Sequence, residues 1–283
     1  MKQNSSVAIT GIDGAGKSTI SAKISKALKT RNIQDSLVMH CPVFHETPNA
    51  PLSELSRDLD AFSTIADELK SVELKAVAQF IQTTLFGYVK DNLAETFQPD
   101  LLIHERHAVI DCYAYGRFYA ELMASPPDQK QFEAALIRRL EMFRPGAWQS
   151  ILNWIDKIGE GYDSELSLWN FHHHIKQIFS LKGTALMQAL EQTTNGTLPD
   201  VLIILDANPD LAAKRIELRD DGKEEFHEQN DMLQEIRHRY FEAVDLIKKE
   251  YPDVRTFIVS MNDQTSVDET VKTVTEYISN LVN

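Results

Sequence analysis

Four residues near the start of the chain fit the pattern of a loop that binds phosphate. Gly11, Gly16, Lys17 and Ser18 occupy the fixed positions of G-x-x-x-x-G-K-[ST] in the stretch GIDGAGKST. In such a loop the backbone N–H groups converge on a polyphosphate, the lysine reaches the β- and γ-phosphates, and the hydroxyl can hold magnesium. A strand-like run precedes the loop and a helical pattern follows it, which favours this interpretation over a flexible glycine turn. The residues predicted to bind the polyphosphate are Gly11, Asp13, Gly14, Ala15, Gly16, Lys17, Ser18 and Thr19.

A second candidate lies in the stretch LLIHERH, where Glu105 and Arg106 follow a short apolar run. A carboxylate at the end of a strand can organise magnesium or accept a proton, and a guanidinium can bind a phosphate through two parallel hydrogen bonds. An ion pair at a strand end, with no role in chemistry, is the alternative. We expect this third strand to lie beside the phosphate-binding loop.

Two arginines lie in the stretch LAAKRIELRDDGK. Arg215 and Arg219 are four residues apart, so on a helix both project from one face. Arginines over a transferring phosphoryl group neutralise the charge that spreads over its oxygens. The alternative is that they only solvate an exposed helix. Asp206 follows the preceding strand-like run, and Asn208-Pro209 is predicted to open this helix.

Compact apolar runs, with helical patterns between them, predict the elements that position these residues. The five predicted strands are Val7–Thr10, Leu37–His40, Leu101–His104, Val201–Leu205 and Val254–Val259. The predicted helices include Ser18–Arg31, a long helix at Val72–Phe97, and a C-terminal helix capped by Ser266. This alternation is typical of a three-layer α/β/α fold with ligands at the carboxyl ends of the strands.

Residues 120–198 interrupt the alternation, because they show helical patterns without a convincing strand. All three tryptophans lie there, with apolar clusters around Trp148–Ile155 and Trp169–Phe179. We interpret this segment as a helical insertion within a single domain of residues 1–283. Its apolar surface should be covered by the rest of the domain or by a second copy of the chain, so a homodimer is one expectation.

Composition excludes several classes of protein. The formal net charge of −13 argues against a nucleic-acid partner, since phosphate backbones require basic surfaces. The two cysteines, Cys41 and Cys112, have no paired spacing, and no apolar run approaches membrane-spanning length. The N-terminal residues do not resemble a signal peptide. We therefore expect a cytoplasmic protein that does not bind membranes.

Taken together, these stretches resemble the thymidylate kinase family. GIDGAGKST is similar to its phosphate-binding loop, ERH to its Asp-Arg-aromatic motif, LDANPDLAAKRIELR to its LDxxPxxAxxRxxxR stretch, and RHRYFEAV to the segment after its lid. The resemblance implies a P-loop kinase fold with a five-stranded parallel sheet, ATP as phosphoryl donor with Mg²⁺, and a lid at residues 215–231. It covers most of the chain outside the insertion.

The resemblance also implies roles for individual residues. The implied catalytic residues are Lys17, Arg106, Arg215 and Arg219; the implied acceptor-binding residues are Asp13, Phe80, Glu105 and Arg106; the implied magnesium ligands are Ser18 and Glu105. In this scheme Lys17, Arg215 and Arg219 hold the transferring phosphoryl group, Arg106 orients the acceptor, and Phe80 stacks on its base.

The departures from the family fall in the acceptor site. His40-Cys41-Pro42 stands where the family carries Arg-Glu-Pro, and Thr84 stands where a second arginine is expected. Glu105-Arg106 also resembles the ERS motif of deoxynucleoside kinases, whose acceptor lacks a phosphate. We therefore expect an acceptor other than deoxythymidine monophosphate (dTMP), or weaker binding of dTMP.

Three functions remain open on the sequence. The leading one is ATP-dependent phosphotransfer to a nucleoside monophosphate, as in nucleotide biosynthesis. The second is a deoxynucleoside kinase or a kinase of an unusual acceptor. The third is a nucleotide-binding regulatory protein without turnover. Only the first two are enzymes.

Overall fold

The computed structural model describes residues 5–31, 33, 35–160, 166–218, 230–262 and 265–282. The chain forms two compact units, each assembled from separate segments. Unit 1 comprises Met1–Cys41, Lys90–Ala114 and Thr197–Asn283, and unit 2 comprises Pro42–Val89 and Tyr115–Gly196.

Unit 1 is built on one parallel sheet of five strands in the order β2-β3-β1-β4-β5. The strands are β1 (Ser5–Thr10), β2 (Ser36–His40), β3 (Leu101–Glu105), β4 (Val201–Ala207) and β5 (Arg255–Met261). All five predicted strands are confirmed, with ends that differ by one or two residues. Val7 aligns with Ile103 of β3 and with Val201 of β4, so β1 is the central strand and β3 lies directly beside it.

The helices of unit 1 follow the strands of the sheet. They are α1 (Lys17–Leu28), α5 (Ala108–Asp111), α11 (Pro209–Glu217), α12 (Asn230–Glu250) and α13 (Val267–Val282), while α4 (Phe86–Phe97) enters this unit from unit 2. Asn208 caps α11 by accepting from the N–H of Asp210, and Ser266 caps α13 by accepting from the N–H of Glu269. Both predicted helix starts are therefore confirmed, and the five-stranded parallel sheet with its surrounding helices has the predicted three-layer α/β architecture.

The described residues of unit 2 form helices joined by loops and turns, without a strand, and include one short 3₁₀ helix at Phe44–Glu46. Its helices are α2 (Ser53–Glu68), α3 (Val72–Thr83), α6 (Arg117–Leu122), α7 (Gln129–Phe143), α8 (Ala147–Gly159), α9 (Phe171–Ser180) and α10 (Gly183–Thr194). α7 and α8 pack on α2, and α9 packs on α3. The described part of the predicted helical insertion thus consists of helices and the loops between them, and its helices pack on α2 and α3 of residues 42–89. The assignment of residues 120–198 as an insertion within one domain stays a prediction.

The prediction of one long helix over Val72–Phe97 is wrong. The helix ends at Thr83, and α4 begins at Phe86. The hydroxyls of Thr83 and Thr84 donate to the carbonyls of Phe80 and Ile81, three residues back. Such local bonds compete with the helical backbone ladder, which explains a break that the apolar pattern does not reveal.

Candidate active site

The turn from β1 into α1 has the backbone shape of a phosphate-binding loop. Gly11 (φ 149°) and Gly14 (φ 75°) pass so close to the backbone that a Cβ would lie 2.5 Å from the Leu205 carbonyl oxygen and 2.4 Å from that of Ala212. Only glycine fits at both positions. The glycines of the motif therefore bring the loop against β4 and α11, and α1 begins directly at Lys17.

Lys17 is buried within this loop. Its Nζ donates to the carbonyl oxygens of Gly11 (3.1 Å) and Ile12 (2.8 Å) and lies 3.5 Å from Oδ1 of Asp13. Burial, together with the charge of Arg106, lowers the pKa of Lys17 to about 8, although nearby carboxylates oppose the shift. Lys17 is therefore still mainly protonated at neutral pH.

Glu105 ends β3 beside the loop, as predicted, and is held on both oxygens. Oε1 accepts a hydrogen bond from the Ser18 hydroxyl, and Oε2 lies 2.7 Å from His40 Nδ1 at the end of β2. Burial raises the pKa of Glu105, but the hydrogen bonds from His40 and Ser18 and the charge of Arg106 outweigh burial, so its pKa is lowered. An ionised carboxylate only accepts hydrogen bonds, so His40 carries hydrogen on Nδ1.

Arg106 has the left-handed backbone conformation, with φ of 65°. This conformation is costly for a residue with a Cβ and recurs at functional sites, where the surroundings hold it in place. Its guanidinium spans two carboxylates, with Nη2 on Asp13 Oδ1 and Nη1 on Asp111 Oδ2 (3.1 Å). Arg106 therefore lies against the phosphate-binding loop, on the side where Glu105 also lies.

Asp111 links Arg106 to two buried hydroxyls. Its Oδ1 accepts from Thr10 Oγ1 (2.6 Å) and from the Tyr240 hydroxyl (2.8 Å), and these two hydroxyls lie 3.1 Å apart. Thr10 ends β1 and Tyr240 lies on α12. No local pattern in the sequence indicates a role for Asp111 or Tyr240, because Asp111 is more than a hundred positions from both Thr10 and Tyr240.

Two further arginines of unit 1, Arg215 on α11 and Arg237 on α12, contact the loop and the end of β4. Arg215 Nη1 lies 3.4 Å from the carbonyl oxygen of Gly14, so the first of the two predicted lid arginines reaches the loop. Arg219 and most of the predicted lid at 215–231 lie outside the described residues. Arg237, for which the stretch RHRYFEAV predicted no separate role, binds both oxygens of Asp206 (2.5 and 2.9 Å).

Phe80 and Thr84, the two acceptor-side residues on or near α3, belong to unit 2. Phe80 is 3% exposed and packs edge to face against Phe171 and Phe179, whose ring centroids both lie 6.0 Å away. The Thr84 hydroxyl accepts a hydrogen bond from Trp154 Nε1 (2.8 Å). Thr84, where the resemblance leads one to expect an arginine, thus takes part in a buried contact between α8 and the end of α3. Base stacking by Phe80 stays a prediction.

The Ser18–Glu105 pair fits the predicted magnesium site. A hydroxyl and one carboxylate oxygen are hard ligands of the kind that Mg²⁺ takes, and Mg²⁺ usually binds through one or two carboxylates together with substrate phosphates. Among the described residues no group of three or more His, Cys, Asp or Glu side chains is placed to hold a metal ion.

Residues 177–258 match the family model of thymidylate kinase, a range that contains Asp206, Arg215 and Tyr240. Over this segment the chain is similar to the thymidylate kinases. Its fold is similar to that of thymidylate kinase from Candida albicans, at 15% identity and a TM-score of 0.54, over 99% of this chain and 92% of that chain.

A deoxyadenosine kinase from M. mycoides, with products dCMP and a flexible dCDP bound, is 16% identical over 97% of this chain and 99% of that one, with a TM-score of 0.47. No curated protein matches the sequence. In the part of the chain that the structure describes, no helix is long and apolar enough to cross a membrane. The predicted cytoplasmic location stays a prediction.

Proposed function

We propose that this thymidylate kinase-like protein transfers the γ-phosphoryl group of ATP to a nucleoside monophosphate, either dTMP or a related acceptor. The observation that carries the proposal is the meeting of Lys17, Ser18, Glu105 and Arg106 at the carboxyl ends of the adjacent strands β1 and β3. Two cations, one carboxylate and one hydroxyl at a glycine-rich loop suit phosphoryl transfer. This reaction needs positioning and charge stabilisation rather than covalent chemistry from the protein.

The phosphoryl donor would be bound by loop residues 11–19 together with Arg215 and Arg219. The backbone N–H groups of the loop and Lys17 would bind the triphosphate, and Arg215 and Arg219 would neutralise charge on the transferring group. Ser18 and Glu105 would hold Mg²⁺, which when bound offsets the charge of the phosphate oxygens.

The acceptor half of the reaction involves Asp13, Glu105 and Arg106. Arg106 would orient the acceptor from its position against Asp13. The left-handed backbone of Arg106 supports this role, because such a conformation at a strand end needs surrounding contacts to persist. These assignments extend the family resemblance to this chain residue by residue.

An acceptor without a phosphate, such as a deoxynucleoside, is the second candidate. Two carboxylates already bind the guanidinium of Arg106, and His40 binds Glu105 where the family carries an arginine. This charge balance suits a neutral hydroxyl acceptor better than a dianionic phosphate. Glu105, whose pKa is lowered, would be ionised at neutral pH and could accept the hydrogen bond of such a hydroxyl.

A coupled assay of ADP release with Mg²⁺ and ATP, run over a panel of nucleosides and nucleoside monophosphates, separates these candidates. Turnover of a monophosphate supports the first proposal, and turnover of a nucleoside alone supports the second. ATP binding without turnover of any acceptor would contradict both and favour a nucleotide-binding regulatory protein. Isothermal titration with a non-hydrolysable ATP analogue measures donor binding independently of the acceptor.

A further inference from the structure

Arg106 is held by a chain of contacts that ends on α12. Its Nη1 binds Asp111 Oδ2 (3.1 Å), while the other oxygen, Oδ1, accepts hydrogen bonds from Thr10 and Tyr240. One carboxylate oxygen of Asp111 therefore contacts Arg106, and the other accepts both hydroxyl hydrogen bonds. Rotation of the carboxylate away from Arg106 would break two hydroxyl hydrogen bonds at once, so the hydroxyls fix the orientation in which Oδ2 faces the guanidinium.

The residues that surround Asp111 in this network are buried. Thr10 and Tyr240 are at most 1% exposed, and the side chain of Asp111 is 11% exposed. Hydrogen bonds to a charged group are stronger in such an environment than in water, and losing one partner costs more. The network therefore anchors the side chain of Arg106, whose backbone has the left-handed conformation.

Tyr240 connects this network to the element that follows the predicted lid. α12 begins at Asn230, and on the same helix Arg237, three residues before Tyr240, binds Asp206 at the end of β4. One helix face therefore contacts residues that follow or end β1, β3 and β4. Tyr240 and Asp111 thus connect α12 to Arg106.

We propose that the hydroxyl of Tyr240 is a positioning group for Arg106, acting through Asp111. Tyr240 does not itself touch the reacting groups; it sets the direction of the guanidinium that orients the acceptor. This inference rests on the proposed kinase function for its kinetic consequence, but its structural consequence is independent of activity.

The first test is kinetic. Tyr240→Phe removes only the hydroxyl, and we expect kcat to fall about tenfold while the KM for ATP changes less than about twofold. When Asp111→Asn is already present, adding Tyr240→Phe should lower kcat by less than about twofold, since the hydroxyl acts through that carboxylate. Tyr277→Phe is the matched control, because its ring stacks on Phe257 and lies in α13. Thr10→Val, which removes the other hydroxyl from the same oxygen, should behave like Tyr240→Phe.

The second test is spectroscopic and needs no turnover. The test follows the NMR signal of the Nε–Hε group of Arg106, which is assigned by its loss in Arg106→Lys. This signal should shift in Tyr240→Phe and stay unchanged in Tyr277→Phe. An unshifted signal in Tyr240→Phe would overturn the inference. So would a double variant whose loss of kcat equals the product of the losses in Tyr240→Phe and Asp111→Asn. If the wild-type protein turned over no acceptor, the proposed function would fail, and the Arg106 signal would still decide the positioning role.

Discussion

His40 Nδ1 and Glu105 Oε2, at the carboxyl ends of the adjacent strands β2 and β3, lie 2.7 Å apart. The resemblance leads one to expect an arginine at position 40, and an imidazole bound to a carboxylate stands there instead. Because Ser18 binds the other oxygen, Glu105 is held from β2 and from α1 together. The proposed metal ligand thus has little freedom to rotate.

Removal of the imidazole should change the pH dependence of turnover. In His40→Ala, Glu105 loses a hydrogen bond that lowers its pKa, while the burial that raises its pKa remains. Glu105 would then take up a proton at higher pH, so the acid limb of the kcat/KM profile should move to higher pH. His238→Ala is the control, since His238 is exposed on α12 and lies 3.7 Å from Glu242. An acid limb at the wild-type position would show that Glu105 does not govern this limb.

Lys17→Ala should abolish most phosphotransfer without unfolding the protein. A charge that acts mainly in the transition state contributes orders of magnitude to kcat, and we expect a loss of about a hundredfold or more. Lys23→Ala, which removes an exposed lysine that pairs with Asp268, should retain wild-type kcat. ADP release and circular dichroism measure activity and folding on the same samples. Wild-type turnover by Lys17→Ala would place the donor site elsewhere.

The lowered pKa of Lys17 predicts two effects of alkaline pH. The folded chain loses this proton near pH 8, whereas an unfolded lysine keeps it until about pH 10.5. Between these values the unfolded chain binds more protons, so the Lys17 contribution to the free energy of unfolding rises with pH. Compared with Lys17→Met in urea titrations, the wild type should gain stability over this window. Over the same window kcat/KM for ATP should fall, because the charge is lost; Lys17→Arg should not show this fall.

Two arginine–carboxylate pairs on α2 allow a comparison of stability. Asp58 is completely buried and binds Arg144, whereas Glu68 is largely exposed and binds Arg139. Arg144→Ala leaves a buried carboxylate without this partner and should cost about 2 kcal/mol, a value reduced because Arg144 itself is one-third exposed. Arg139→Ala should cost about 0.5 kcal/mol or less. Urea unfolding monitored by tryptophan fluorescence measures the free energy of unfolding of both variants. Equal losses would contradict the expectation that the pair with the buried carboxylate contributes more to stability.

The parts of the fold and site that the sequence predicted are those encoded by neighbouring residues. The loop from Gly11 to Thr19, the five strands, and the caps at Asn208 and Ser266 each depend on a short pattern. Glu105 was placed correctly beside the loop because parallel strands bring their carboxyl ends to one edge. These predictions needed no knowledge of distant contacts.

The remaining features depend on contacts between distant segments. Tyr240 meets Thr10 and Asp111 only when α12 packs in the folded unit, and no local pattern indicates that contact. The break between α3 and α4 lies in an apolar stretch that reads as one helix, and the close approach of Gly87 to Asn195 adds a tertiary constraint there. The aromatic contacts of Phe80 likewise come from α9, some ninety residues away in sequence.

The division of each unit among separate chain segments has a consequence for synthesis on the ribosome. β1 is made first, but its neighbour β3 begins at Leu101 and its other neighbour β4 at Val201. Unit 2 is complete in sequence at Gly196, before β4 and β5 have been made. Because domains tend to fold as units while the chain grows, the helical unit can fold first, whereas the first strand waits through most of translation for its partners.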